Sequence, residues 1–151
     1  MPELPEVETV VRALREPLVG RTIQTVSYDR ASVIHAPSPE QFIARIQGQT
    51  VQAITRRAKY ILCQLDHDIL AIHLKMTGRL YVSGAVVDED RWVRLRFGLD
   101  NGQELRFSDA RRFGKAFLIT DISDIAPDLG PEPLTDDFTL DVLRARLAGR
   151  H

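Results

Sequence analysis

The chain begins Met1-Pro2-Glu3-Leu4-Pro5-Glu6, and removal of Met1 would expose the secondary amine of Pro2 beside the carboxylates of Glu3 and Glu6. That is a candidate nucleophile with candidate acid/base partners. An α-amino group titrates near pH ~8 and a lysine near ~10.4, so at neutral pH a terminal amine has roughly a hundredfold more of its attacking form. A secondary amine that condenses with an aldehydic carbon gives an iminium that is cationic without a proton. It therefore acts as an electron sink for elimination, and sugar C1′ chemistry fits this tool. Where Met1 is retained, the Pro2 nitrogen is an unreactive tertiary amide. The same residues admit a structural reading, in which Pro5 opens a helix, Glu6 and Glu8 complement its dipole, and Glu3 is simply exposed.

Three later clusters also hold chemistry-bearing residues. Arg56-Arg57-Ala58-Lys59-Tyr60 is a short basic cluster at a strand junction, either a solvated turn or a phosphate site. His73-Leu74-Lys75-Met76-Thr77-Gly78 alternates at strand spacing and then enters a glycine-containing turn, which puts Met76 near a tip. A lone His or Met is ordinarily structural, but an enzyme that flips a nucleotide must fill the hole, and an unbranched apolar side chain can enter a base stack. Ser108-Asp109-Ala110-Arg111-Arg112-Phe113-Gly114 is a polar, basic loop between strands, in which Phe113 is either core or an exposed wedge. In a DNA reading, Phe113 stacks beside an estranged base, Arg111 donates to its edge, and Arg112 or Lys115 meets phosphate.

The elements that would position these residues follow from periodicity. Val7, Val10, Val11, Leu14 and Leu18 recur at helical spacing, with Pro17 helping to end the run. Arg21 to Asp29 reads as a strand, and Ser38-Pro39-Glu40-Gln41 is a capping box for a second helix with Phe42, Ile43 and Ile46 on its apolar side and Gly48 at its stop. From Thr50 to Asp121 short β-rich runs alternate with turn residues, predicting adjacent antiparallel strands. Around Asp100-Asn101-Gly102 a three-residue loop sets Phe97 opposite Leu105 and Leu95 opposite Phe107, with Gly102 in the left-handed conformation. That register also sets Arg96 opposite Arg106 with Arg94 nearby, a repulsive cluster unless it is solvated or neutralised by an anion. Pro127 to Pro133 is a connection, and Phe138, Val142, Leu143 and Leu147 give a last helix an apolar stripe.

With 151 residues, 44% of them hydrophobic, the chain can bury a real core, and it has no apolar run long enough to span a membrane. A net charge of −1 excludes a uniformly basic nucleic-acid binder. The charge is uneven, however: twelve Lys/Arg against eight Asp/Glu from Arg56 to Lys115, and three against seven from Ala116 onward. The single cysteine, Cys63, excludes an internal disulfide and a multi-cysteine zinc site within these residues, and fits a reducing cytoplasm.

The amino-terminal hexapeptide, Arg56 to Tyr60, His73 to Gly78, Asp109 to Gly114 and the Leu129-Gly130-Pro131-Glu132-Pro133-Leu134 junction run in the order and spacing of the formamidopyrimidine-DNA glycosylase (Fpg/MutM) family, which the chain closely resembles. The resemblance implies an α+β, mainly β fold: an antiparallel β-sandwich flanked by two helices over residues 1–131. A trailing helix over residues 132–151 would then begin a truncated helix-two-turn-helix domain. It implies a bacterial, cytoplasmic base-excision repair glycosylase and AP lyase acting on double-stranded DNA with oxidised purine (8-oxoguanine, formamidopyrimidine) or abasic sites. The steps implied are attack of Pro2 nitrogen on C1′, a Schiff base, and β,δ-elimination. By resemblance the catalytic set is Pro2, Glu3 as proton-transfer group, Glu6 as supporting carboxylate and Lys59 near the lesion backbone. The DNA-binding set is His73, Lys75, Met76 and Phe113 as intercalators or backbone contacts, with Arg111 reading the estranged base and Arg112 beside it. Leu4 favours this branch over endonuclease VIII-like relatives that prefer oxidised pyrimidines, and Ala110 departs from a frequent proline. No metal or organic cofactor enters the chemistry, and the family's four-cysteine zinc finger is not present in these residues. Loss of its phosphate contacts predicts little or no activity for this chain alone. The reading from another class is a non-catalytic DNA-contacting module.

Overall fold

The stripe of Val7, Val11, Leu14 and Leu18, all at most 2% exposed, makes α1 (Leu4–Leu18) amphipathic and holds it against the core, with Val10 half-buried at its margin. The computed structural model describes residues 4–75, 77–84 and 90–125. Pro2, Glu3 and Met76 lie outside the described residues, as do residues 126–151 with the expected domain boundary and last helix.

Among the described residues nine strands follow α1: β1 (Ile23–Tyr28), β2 (Ile34–Ala36), β3 (Ala53–Arg57), β4 (Tyr60–Gln64), β5 (Ile69–His73), β6 (Gly78–Gly84), β7 (Val93–Leu99), β8 (Gln103–Asp109) and β9 (Lys115–Ile119), with α2 (Pro39–Ile46) between β2 and β3. They form a four-stranded sheet in the order β1-β7-β8-β6 and a five-stranded sheet in the order β2-β9-β5-β4-β3. Leu95, Phe97, Leu105 and Phe107 of one sheet and Ile54, Ile61, Cys63, Leu70, Ile72 and Leu118 of the other meet in one buried cluster, a sandwich core. The helices close its two open sides. α1 packs on β3 and β6, an edge of each sheet, and α2 on β2 and β1, the opposite edges.

Local chemistry accounts for several of these elements. Ser38 Oγ accepts from Gln41 N–H at 3.3 Å, Pro39 opens α2, and Gly48 lies beyond the helix at φ +86°. The β7–β8 hairpin has the expected register, with Leu95 opposite Phe107, Arg96 opposite Arg106 and Phe97 opposite Leu105, and Gly102 at φ +86°. The arginine pair is resolved in a way the alternation did not foresee. Glu104 Oε1 takes both Arg106 Nε at 2.9 Å and Arg96 Nη1 at 3.3 Å, so an internal carboxylate supplies the neutralising charge.

One pairing departs from the antiparallel expectation. β2, in a segment to which the sequence reading assigned no element, pairs parallel with β9 through Ile34 and Ala36. Three residues are too few to show alternation, and a parallel partner some 80 residues away leaves no local turn signal. β4 is buried along its whole length because the outer face of its sheet carries a second apolar cluster, in which Leu62, Ala71 and Phe117 meet Ile122 and Ile125 of a 3₁₀ turn.

Candidate nucleic-acid interface

Antiparallel pairing brings the candidate residues to one end of the sandwich. Across the five-stranded sheet Tyr60 is opposite His73 and His73 opposite Lys115, so the β3–β4 turn with Lys59, the end of β5 and the start of β9 are level. In the other sheet Gly78 is opposite Asp109, which levels the start of β6 with the end of β8. Three connections therefore crowd this rim: the two-residue β3–β4 turn, the β5–β6 turn and the β8–β9 loop. Among the described residues, the non-glycine positions with positive φ are Ala58 (53°), Lys75 (57°) and Arg112 (60°), one in each of these connections. Such conformations persist only where the surroundings impose them, and they concentrate at functional sites.

The β8–β9 loop presents Arg111 and Phe113. Phe113 is 44% exposed, large for an aromatic ring, and the Arg111 guanidinium lies 5.2 Å from its centroid. Beneath them Asp109 is 1% exposed and serves as the anchor of the loop. Its Oδ1 accepts from Arg111 N–H at 3.1 Å and from the Thr77 hydroxyl, and its Oδ2 accepts from Gly114 N–H at 2.6 Å. Arg94, 8% exposed, donates from Nε to Asp109 O at 2.9 Å and from Nη1 to Asp29 at 3.0 Å. Arg112 is engaged by the same Asp29 at 2.7 Å, and Lys115 Nζ donates to Ser32 O at 2.9 Å.

His73 closes β5, with the Tyr60 ring edge-on at 4.8 Å. Its Nδ1 accepts from Lys75 N–H at 3.0 Å, which in the neutral ring puts the proton on Nε2. Together with exposed Lys75 and Phe113 and half-buried Lys115 it lines an open cleft that also contains His35 and Phe117. Lys59 is half-buried on its turn, whereas Arg56 is a structural cation. Its Nε lies 3.4 Å from Glu8 of α1 and its Nη1 donates to Ala58 O at 3.0 Å, so it ties the helix to the turn. Glu6, exposed on the first turn of α1, lines a groove with Val10, Leu74, Gly78, Arg79, Leu80 and Tyr81.

The structure thus brings Glu6, Lys59, His73, Lys75, Arg111 and Phe113 to one rim, with Arg112 paired to Asp29 at its edge. Sequence reasoning gave no role to Asp109, Thr77 or Asp29, and it grouped Arg94 with Arg96 and Arg106, whereas Arg94 bonds Asp29 and the Asp109 carbonyl. An Asp where a strand gives way to a loop is an Asx-turn signal, so Asp109, the last residue of β8, could have been flagged. Nothing local announces the other three. Cys63 is fully buried and its thiol is pushed up to about 12 by that burial, which makes it inert. Among the described residues no cluster of His, Cys, Asp and Glu is arranged to hold a metal ion, and no helix is long and apolar enough to cross a membrane.

Comparison with known proteins agrees with this architecture. The chain is 46% identical over 153 residues to the formamidopyrimidine-DNA glycosylase of Chloroflexus aurantiacus, and 39% identical over 153 residues to that of Bacillus subtilis. These alignments cover 99% and 98% of the chain, and the chain spans only 55% of either relative. Among solved structures, the Lactococcus lactis enzyme (alias Fpg or MutM) non-covalently bound to DNA containing an AP site superposes with a TM-score of 0.78 at 30% identity, over 96% of this chain and 57% of that one. The same enzyme complexed with DNA containing FAPY-dG gives 0.77 at 30% identity, over 95% and 56%. The model of the formamidopyrimidine-DNA glycosylase N-terminal domain matches residues 1–116. On sequence and fold together, the chain belongs to the formamidopyrimidine-DNA glycosylase family, of which it carries the amino-terminal domain.

Proposed function

We propose that this chain is the DNA-processing part of a base-excision glycosylase and AP lyase that removes oxidised purines, 8-oxoguanine and formamidopyrimidines, from duplex DNA. The observation that carries the proposal is the convergence of three connections with strained backbone, together with the head of α1, on one rim bearing an exposed Phe113 capped by Arg111. An exposed aromatic beside a guanidinium suits a wedge in a base stack with donors for the base left behind. His73, Lys75 and Lys59 on the same rim suit the backbone on either side of the flipped nucleotide.

In this reading Pro2, two residues ahead of α1 in the chain, attacks C1′ of the flipped nucleotide. The C1′–N bond breaks with the electron pair leaving on the base, Pro2 loses its N–H proton, and the C1′–O4′ bond then opens with O4′ taking a proton, which leaves an iminium. Loss of a C2′ proton expels the 3′ phosphate, and loss of a C4′ proton then expels the 5′ phosphate. Glu3 moves the proton at the sugar, and Glu6 on the first helical turn supports it. In this reading the steps at the sugar draw on no metal or organic cofactor. Borohydride trapping tests the proposal. At low ionic strength, with the chain in excess over abasic-site duplex and with intact mass showing Met1 removed, a covalent protein–DNA adduct is expected, and blocking the terminal amine abolishes it. A processed chain that binds the duplex but yields no adduct is instead a non-catalytic DNA-contacting module.

A further inference from the structure

We infer that Asp109 is a positioning residue that locks the β5–β6 turn and the β8–β9 loop into a single wedge, an inference that rests on the DNA-repair reading above for its purpose but not for its geometry. Its carboxylate reaches both connections at once. Thr77, which follows Met76 in the chain, donates its hydroxyl to Oδ1, while Arg111 N–H at 3.1 Å and Gly114 N–H at 2.6 Å bracket the segment that carries Phe113. With the carboxylate 1% exposed, water offers no ready replacement for these acceptors.

A second, apolar contact joins the same two connections. The ring of Phe107, 0% exposed, lies under both Gly78 and Gly114. A Cβ at Gly78 would stand 3.0 Å from Phe107 Cε1 and 2.5 Å from Leu74 O, and one at Gly114 would stand 2.2 Å from Phe107 Cζ. Both connections are therefore pressed onto one ring from above and tied to one carboxylate beside it. Two independent loops would each lose conformational freedom when a duplex is wedged open, whereas a preassembled pair has already lost it on folding. Arg94 completes the device by donating from Nε to the Asp109 carbonyl.

Asp109→Asn is the direct test, because the amide cannot satisfy the set in either orientation. With its oxygen toward Arg111 and Thr77 its NH₂ faces Gly114 N–H, and with its oxygen toward Gly114 its NH₂ faces Arg111 N–H. Hydrogen exchange on the unliganded chain is expected to speed up about tenfold or more at both 74–78 and 109–115, leaving β4 and β5 unchanged. Affinity for a duplex containing a tetrahydrofuran abasic analogue should fall about tenfold, with a change under about twofold for the same strand unpaired, since a single strand needs no wedge. Thr77→Val, which spares the bonds from both backbone N–H donors to Asp109, should speed exchange at 109–115 about threefold and serves as the deciding variant should Asp109→Asn fail to fold. Faster exchange confined to one connection, or equal losses on duplex and single strand, overturns the inference. If the unsubstituted chain binds neither DNA, the functional reading fails while the two-segment exchange result still decides the coupling.

Discussion

Gly114→Ala places one methyl group where the structure has least room for it. The new Cβ would lie 2.2 Å from Phe107 Cζ, 3.1 Å from Phe107 Cε1 and 3.0 Å from His73 O. Ordinary carbon–carbon contact needs about 3.5 Å or more, so the loop and the ring must separate by roughly 1.3 Å or more. Phe107 is wholly buried and already meets Gly78 on the same face, which leaves the loop to yield. Moving it stretches the 2.6 Å bond from Gly114 N–H to Asp109 and tilts Phe113. Overpacking costs about 1–3 kcal/mol and the weakened hydrogen bond about 1 kcal/mol, for a total of about 2–4 kcal/mol. At roughly 2–4 °C per kcal/mol for a chain of this size, Tm should fall by about 4–16 °C. Thermal unfolding followed by circular dichroism gives the Tm, and fluorescence of Trp92, the sole tryptophan and 40% exposed near the rim, gives the duplex affinity. Phe107→Leu in the same chain returns the missing space, so the double variant should recover part of the stability and affinity that Gly114→Ala loses. A Tm within a degree of the parent, or strictly additive losses in the double variant, would refute the steric account.

Three other outcomes follow. Glu104→Gln removes the charge shared by Arg96 and Arg106, the latter 2% exposed, and should cost about 3 kcal/mol in urea unfolding, with Arg96→Gln recovering part of it. Burial alone would raise the Asp90 carboxyl, but hydrogen bonds from the Tyr81 hydroxyl at 2.5 Å and Trp92 N–H at 2.9 Å, with Arg79 at 2.8 Å, hold it down at about 2. A depressed carboxyl stabilises the fold above its unfolded value and ceases to do so as pH falls through its folded value. Asp90→Asn should therefore cost about 2 kcal/mol at pH 7, and the gap to the parent should close as pH drops from about 4 to 2 in pH-dependent unfolding. Lys75→Ala should weaken binding alike for any duplex sequence and lower the slope of log affinity against log salt by about 0.9, measured by titration at several ionic strengths.

Much of this was legible because it is written within a few residues. The cap of α2 depends on Ser38 and Gln41, three positions apart, and the β7–β8 register on the alternation either side of Gly102. A slip of one residue there would have turned Phe97 and Phe107 outward, so the pattern admits only one solution. The candidate residues themselves were marked by their motifs. Where periodicity failed was at β2, whose three residues are held by β9, and at Arg96 and Arg106, whose partner Glu104 sits two residues from Arg106 but acts across strands.

By itself, then, the order of residues determined the helices, the hairpin and which side chains could serve DNA chemistry, since helix periodicity, strand alternation and turn geometry are short-range properties of the chain. Only the tertiary structure decided that Thr77 and Gly114 share one carboxylate, that Gly78 and Gly114 share one ring, and that Arg56 supports α1 while Lys59 remains on the rim. Those choices depend on two sheets stacking and two helices closing their edges, which brings together groups tens of residues apart. Packing, unlike periodicity, leaves no local mark.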